Sequence, residues 1–247
     1  MNDVVQEFWN KQVSSGHRSK SAGFYQRKAV EHASLMTREE REAGCVDLGC
    51  GAGELLVYFT DHVNVKTGID YSQSMLDEAG KSLSGKNIDL INVDIFKYLP
   101  NSNFYTWTTT GAINQYLDES KMKLFLDIFK ENNNSNSLFM FDCVDPVRYG
   151  LLAFGISYLP VVEKRRGWVN SFLSSINRHM IRLRQLARVY LGAGRKSVTK
   201  LPGAVMGYGY LPQFWIKEGA ARGFEVDIVS SQLYEYRYHV ALRKIAV

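Results

Sequence analysis

Apolar residues change their period once along this chain, and the change divides it. At Val5, Phe8, Trp9 and Val13 they fall at helical spacing, and a second such pattern runs from Phe24 to Arg41 after a Gly/Ser/His/Arg loop at 14–23. Short apolar or β-branched runs then take over: Cys45 to Leu48, Val63 to Ile69, Ile88 to Val93, Phe104 to Thr110 and Leu138 to Asp142. Helix-like stretches at 51–60, 73–83 and 118–130 separate the first three runs and the last two, while only a turn or so of helix, Ile95 to Tyr98, fits between Val93 and Phe104. A last helix-like stretch, Pro212 to Ala221, leads through Gly223 into two more strand-like runs, 224–230 and 234–243. Strands alternating with helices predict an α/β fold, a doubly wound, seven-stranded, mainly parallel sheet.

The 247 residues, 45% of them hydrophobic, suffice for one domain carrying an insertion. We place N-terminal helices at 1–42 and the insertion at about 146–206, after the fifth strand, with Asn132 to Ser137 as a surface loop. Cys45, Cys50 and Cys143 are too few and too irregularly spaced for a disulfide scaffold or a zinc knuckle, which points to a reducing compartment. Residues 1–20 hold no apolar run of the signal-peptide kind. The most apolar stretch, Tyr149 to Val162, is broken by Gly150, Gly155 and Pro160 and falls short of the roughly 20 residues a membrane-spanning helix needs. The expectation is a cytoplasmic protein without a transmembrane helix.

The chemistry starts at Val46-Asp47-Leu48-Gly49-Cys50-Gly51-Ala52-Gly53-Glu54, a glycine-rich turn between the first strand and a helix. Glycines there admit unusual dihedrals and let a ligand approach the backbone, and the following helix offers free N–H groups. A dinucleotide turn wants Gly or Ala where Glu54 stands, which disfavours a pyrophosphate and suits a ligand with a cationic amino-acid end beside Asp47. Asp70, at the end of the second strand, sits at the distance where a carboxylate grips a ribose diol. Asp94, at the end of the third, can accept a hydrogen bond from an exocyclic amine. Each aspartate alone reads as a turn or helix cap; three at successive strand ends line one crevice.

With Val46 to Glu54, Gly68 to Met75 and Asn92 to Ile95 as its first three motifs, the sequence resembles the class I S-adenosylmethionine-dependent methyltransferases. The similarity covers residues 45–143 and the tail from Tyr210; the fourth strand, Phe104-Tyr105-Thr106-Trp107, departs from the Phe-Asp of many members. The resemblance implies S-adenosylmethionine as cofactor, with Gly49, Gly51 and Gly53 under its methionine part, Asp47 nearby and Asp70, followed by Tyr71, at the ribose. It implies Asp94 at the adenine amine, the Ile95 backbone at the ring edge and Met75 packed on the base. The N-terminal helices would close over the cofactor with Trp9 or Tyr25, which ordinary packing explains equally well. Residues 109–116, including Thr110, Asn114 and Tyr116, lie where the family places groups near the transferable methyl. A Rossmann-type domain for another nucleoside is the competing reading.

Methyl transfer from a sulfonium is an in-line displacement in which the protein supplies alignment and, for a hydroxyl nucleophile, a base. No Asn/Asp-Pro-Pro-Tyr/Phe follows the fourth strand, which disfavours methylation of adenine or glutamine nitrogens. Candidates for the base are Asp142, Asp145, His17, His179 and His239, each with a structural alternative. No metal is expected, since Asp142, Asp145 and Asn114 make only a poor ligand set. The expected activity is O-methylation of a small-molecule or glycan-type acceptor; the rival is an S-adenosylmethionine-binding regulatory or scaffolding protein without turnover.

Charge enters last and alters the picture of the acceptor. The formal +5 conceals a stretch from Lys164 to Lys217 with eleven basic residues and no acidic one, so the remainder is net −6. Projected at 100° per residue, Trp168 to Leu191 forms an amphipathic helix with Arg178, Arg182 and Arg188 opposite the apolar arc. It reads as a substrate-capping lid with Arg178 and Arg182 on the substrate side, as a dock on an anionic membrane surface reaching a lipid-linked acceptor, or as a site for an anion such as a phosphorylated glycan or an acidic carrier protein. Nucleic acid is disfavoured, because the rest of the chain is acidic.

Overall fold

The computed structural model describes residues 21–99, 103–111, 113–153, 197–201 and 207–245. Helix α1 (Ala22–Ser34) and the single turn α2 (Arg38–Glu42) precede strand β1 (Cys45–Leu48). Then follow α3 (Leu56–Phe59), β2 (Val65–Asp70), α4 (Gln73–Ser82), β3 (Asp89–Asn92), α5 (Ile95–Tyr98) and β4 (Thr106–Thr108). A 3-10 turn (Ile113–Tyr116), α6 (Glu119–Glu131), β5 (Ser137–Val144) and α7 (Pro146–Ala153) follow. The later elements are β6 (Val198–Lys200), β7 (Tyr208–Tyr210), α8 (Pro212–Ala220), β8 (Phe224–Ser230) and β9 (Arg237–Lys244).

Seven strands form one sheet in the order β3-β2-β1-β4-β5-β9-β8. Its first five strands run parallel, and β9 pairs antiparallel with both β5 and β8. The doubly wound sheet expected from the sequence is therefore present, its final hairpin turning back at the edge. Strand order reverses between β1 and β4, the place where open α/β sheets leave a crevice at the carboxyl ends of their strands.

Burial on both faces explains why β1 and β5 are mostly apolar, with Asp47 in the first and Ser137 and Asp142 in the second as buried polar exceptions. Leu138 and Met140 of β5 point to the face carrying α5, α6 and α8, where Trp107, Phe125, Phe129 and Trp215 are fully enclosed. Phe139 and Phe141 point to the opposite face, against Ala29 and Ala33 of α1, Phe59 of α3 and Ala79 of α4. Hydrogen bonds at the helix starts fix where each helix enters: the side chains of Ser21, Ser72, Asp94 and Asp118 accept from Phe24, Met75, Phe96 and Lys121 backbone N–H groups.

Three differences from the sequence reading have local causes. The helix expected from Phe24 to Arg41 is two, because Thr37 and Glu40 form a capping box that starts a new turn. Its Glu40 also accepts from Ser137 Oγ at 2.6 Å and Arg243 Nε at 2.7 Å, pinning that turn to β5 and β9. The helix expected at 51–60 begins only at Leu56, since the glycine turn occupies the residues before it. The third is the small β6–β7 antiparallel pair, which the hydrophobic pattern did not announce. A relay of side chains holds its end: Trp215 Nε1 donates to Tyr238 Oη at 2.8 Å, Tyr238 Oη to the Tyr210 carbonyl at 2.6 Å, and Tyr210 Oη to the Leu117 carbonyl. No helix of the described residues is long and apolar enough to cross a membrane.

Phe129 touches Trp107 and Phe224 with ring centroids 5.1 and 5.3 Å apart, joining α6 to the sheet. Its replacement by alanine is expected to lower the unfolding free energy by about 3–5 kcal/mol in urea denaturation. A loss under about 1 kcal/mol would mean that this contact does not carry the packing.

Candidate functional site

The glycine turn after β1 is built on positive φ: Gly49, Gly51 and Gly53 have φ of 71°, 57° and 76°. A Cβ on Gly49 would lie 2.1 Å from Ile113 Cγ2, and one on Gly53 would press on Ala79. A Cβ on Gly51 would meet nothing within 4 Å, so this residue faces open space at the crevice. Gly111, beyond β4, passes so close to the turn that a Cβ there would sit 1.6 Å from the Gly49 carbonyl oxygen. The two glycines therefore fix how near the ends of β1 and β4 can approach.

Asp47 serves this geometry from within. Its carboxylate accepts from Thr108 Oγ1 at 2.9 Å, Thr110 N at 2.8 Å and Thr110 Oγ1 at 2.5 Å. Fully buried, it does not line the cavity, and burial pushes its carboxyl up to about 6 against the pull of those donors. Its part is to position the turn and Thr110 rather than to touch a ligand.

A cavity of about 270 Å³ opens above these strand ends. Its walls include Gly49, Gly51, Asp70, Tyr71, Met75, Ile95, Thr110, Tyr25 and Tyr116, nine of the residues singled out from sequence. Asp70 accepts from Ser72 N at 2.9 Å and Gly51 N at 3.0 Å, so the turn itself aims the carboxylate, and burial raises its pKa. Tyr25 reaches the cavity from α1, stacked on Tyr58, and burial raises its phenol to about 12.

Three other expected residues lie elsewhere. Gly53 packs against α4. Asp94 caps α5 without lining the cavity. Asn114 is turned into the core, where its amide donates to the Phe141 carbonyl at 3.0 Å and to Cys143 Sγ at 3.1 Å. Trp9, His17, Arg178, His179, Arg182 and the 168–191 helix lie outside the described residues.

Sequence reading missed the far wall, formed by Lys28 and Arg237. Lys28 comes from α1 and Arg237 from the start of β9, 209 positions apart, and both meet Asp142 Oδ2: Lys28 Nζ in direct contact and Arg237 at 3.7 Å. No local pattern joins such residues; the one available signal was Asp142 itself, already noted beyond the fifth strand. Asp142 sits where the β5–β9 register slips, with φ 56°, rare for a residue with a side chain. Its N–H donates to His239 Nδ1 at 3.2 Å, and His239 Nε2 faces Glu31 at 3.3 Å. Burial alone would raise the Asp142 carboxyl, but Lys28 and Arg237, with His32 and His239, hold it well below the usual carboxylate range. Burial keeps His32, stacked 4.0 Å from Phe141, well below the ordinary imidazole value.

Two consequences follow for chemistry. A carboxylate this stabilised is a poor proton acceptor, so Asp142 suits positioning better than general-base work. His32, Asp142 and His239 bring ligand atoms within 4.8 Å of one another, yet Lys28 and Arg237 already give that carboxylate two positive charges, which disfavours a further cation.

Because Asp142 has a folded pKa below its unfolded value near 3.9, its contribution is complete above that pH and lost as pH falls through the folded value. Asp142→Asn, which tolerates the positive φ, is expected to cost about 3–5 kcal/mol at pH 7 by leaving two buried cations uncompensated. Urea unfolding from pH 7 to pH 3 should show a steeper loss for the wild type than for this variant; parallel curves would contradict the ion cluster.

Residues 45–131, the strand–turn–helix units that build the cavity's nearer walls, match a family described as a methyltransferase domain. No curated protein matches the chain in sequence. Among solved structures, DhpI in complex with S-adenosylhomocysteine is 10% identical at a TM-score of 0.58, over 97% of this chain and 94% of its own. An amino pentose methyltransferase of calicheamicin biosynthesis from Micromonospora echinaspora, bound to S-adenosylmethionine, is 18% identical at a TM-score of 0.57, over 92% and 93%. Magnesium protoporphyrin IX methyltransferase from Synechocystis, with S-adenosylhomocysteine, is 16% identical at a TM-score of 0.51, over 89% and 83%. At these identities the likeness is one of fold. Residues 45–131 therefore match a methyltransferase domain, carried on a sheet whose order and glycine turn share the fold of solved S-adenosylmethionine-dependent methyltransferases.

Proposed function

We propose that this methyltransferase transfers a methyl group from S-adenosylmethionine to an oxygen of a small-molecule or glycan-type acceptor, itself phosphorylated or lipid-linked, and that the whole chain works as one domain. The observation that carries the reading is a single cavity in which the cradle at Gly51, the Asp70 carboxylate and the apolar Met75 and Ile95 share one wall while Lys28 and Arg237 form another. The residues fit the cofactor. Open space over Gly51 admits a close ligand, Asp70 offers a carboxylate to a diol, and Met75 and Ile95 offer apolar surface to a base. When bound there, S-adenosylmethionine supplies an electrophilic methyl on a sulfonium.

The chain's own work is alignment and exclusion of water. Thr110, Gln115 and Tyr116 line the cavity beyond the turn and are placed to orient an acceptor, and Tyr25 of α1 covers it from above. With Asp142 engaged by two cations, rate enhancement rests chiefly on holding the acceptor oxygen in line. The named neighbours modify an amino pentose and a porphyrin, which supports a small-molecule acceptor. Support for a phosphorylated or lipid-linked one comes from the acid-free stretch 164–217, for which an anionic membrane surface or an acidic carrier is the matching partner. A cytoplasmic location, with peripheral attachment to the inner face of the membrane, belongs to the same proposal.

Incubation with S-adenosylmethionine and a small-molecule extract is expected to yield S-adenosylhomocysteine. Asp70→Asn and Gly111→Ala should each weaken S-adenosylhomocysteine binding by about tenfold or more in calorimetry, the first through the diol and the second through displacement of the Gly49 turn. Tight binding without turnover on any acceptor would favour a regulatory or scaffolding role.

A further inference from the structure

Building on the methyltransferase reading, we propose that Lys28 and Arg237 form an oxyanion subsite that selects an acceptor bearing a carboxylate or a phosphate. Both line the cavity, and both share one buried counter-ion, Asp142 Oδ2, so two positive charges meet one negative at this wall. An uncompensated buried charge is costly unless a partner arrives, which makes the excess positive charge a binding device for an anion. Arg237 is prepared for one. Its guanidinium lies 4.7 Å from the Tyr234 ring centroid and 5.5 Å from that of Tyr236, which hold its plane. Its buried Nε has no hydrogen-bond partner among the described residues. A planar guanidinium with an unpartnered Nε beside a lysine suits the oxygens of a carboxylate or phosphate.

Sheet topology assigns the anion to the acceptor rather than to the cofactor. The glycine turn, Asp70 and Ile95 follow β1, β2 and β3, on one side of the point where strand order reverses. Asp142 and Arg237 belong to β5 and β9, on the other side. The remaining acidic walls, Glu54 and Asp70, stand on the cofactor side, where they face a ligand that brings a sulfonium and an ammonium. Asp142 thus acts as a positioning residue, holding two cations that touch the acceptor.

The test uses the full chain loaded with S-adenosylhomocysteine and titrated with inorganic phosphate, or with acetate, at constant ionic strength. Phosphate is expected to bind saturably to the loaded protein, read by phosphorus relaxation and by a rise in Tm. Arg237→Gln and Lys28→Gln should weaken it by about tenfold or more while changing S-adenosylhomocysteine affinity by less than about threefold. If neutral side chains prevent folding, Lys28→Arg should keep phosphate binding and Arg237→Lys should weaken it, because only the second loses the planar fork. The proposal is overturned if phosphate binds only the unloaded protein and competes with S-adenosylhomocysteine, for then the cations serve the cofactor's own carboxylate. Absent saturable binding, or binding that the variants leave unaltered, overturns it too. A wild type that ignores S-adenosylhomocysteine but binds phosphate through Lys28 and Arg237 would leave the subsite standing and sink the methyltransferase reading instead.

Discussion

The carboxyl edge of the sheet hangs on the Asp47 carboxylate. Three donors from Thr108 and Thr110 converge on it inside a fully buried site, tying the end of β1 to the end of β4 where the strand order reverses. Each hydrogen bond contributes about 1 kcal/mol, and together they offset the cost of burying the charge only in part, as the raised carboxyl shows. What that cost secures is geometry. With these strands tied together, Gly49 and Gly111 meet at a distance no side chain would allow, and the turn above them stays open for a ligand at Gly51.

A second tie closes the other side of the crevice. Helix α1 is joined to β5 and β9 through Lys28, Glu31 and His32, which face Asp142 and His239 across a buried interface. Because these groups are buried, the helix cannot slide without separating charges in a medium that penalises separation. The helix brings Tyr25 and Lys28 to the cavity in a fixed relation to Arg237, so the roof of the site and its cationic wall form one mechanical unit. The strained φ of Asp142 fits this role, since the register slip it creates turns the carboxylate toward α1.

Much of this was legible in the chain. β1 occupies the run read from sequence, and β2, β3 and β5 fall within a few residues of theirs; β1 and β5 are buried along their whole length and so mostly apolar, whereas the edge strand β3 keeps only Leu90 and Ile91 half-buried between exposed ends. Asp70, Met75 and Ile95 were legible because a parallel sheet delivers successive strand ends to one edge, so spacing along the chain becomes neighbourhood in space. Asp47 and Asn114 were legible as positions but not as roles. Both turn inward, and only the surrounding donors and acceptors decide whether a polar side chain faces a ligand or the core.

The sequence by itself determined the alternating strands and helices, the glycine turn and the acidic strand ends, all of which depend on local sterics and on the periodicity of burial. Tertiary structure alone decided the cationic wall. Lys28, Asp142 and Arg237 share no motif, and a lysine on a helix and an arginine on a strand usually read as solvated surface. They become a site because antiparallel pairing of β9 with β5 sets Arg237 beside Asp142, and packing of α1 on Phe141 drops Lys28 onto the same oxygen. Long-range pairing and desolvation create that coupling, and neither is written in the spacing of residues along the chain.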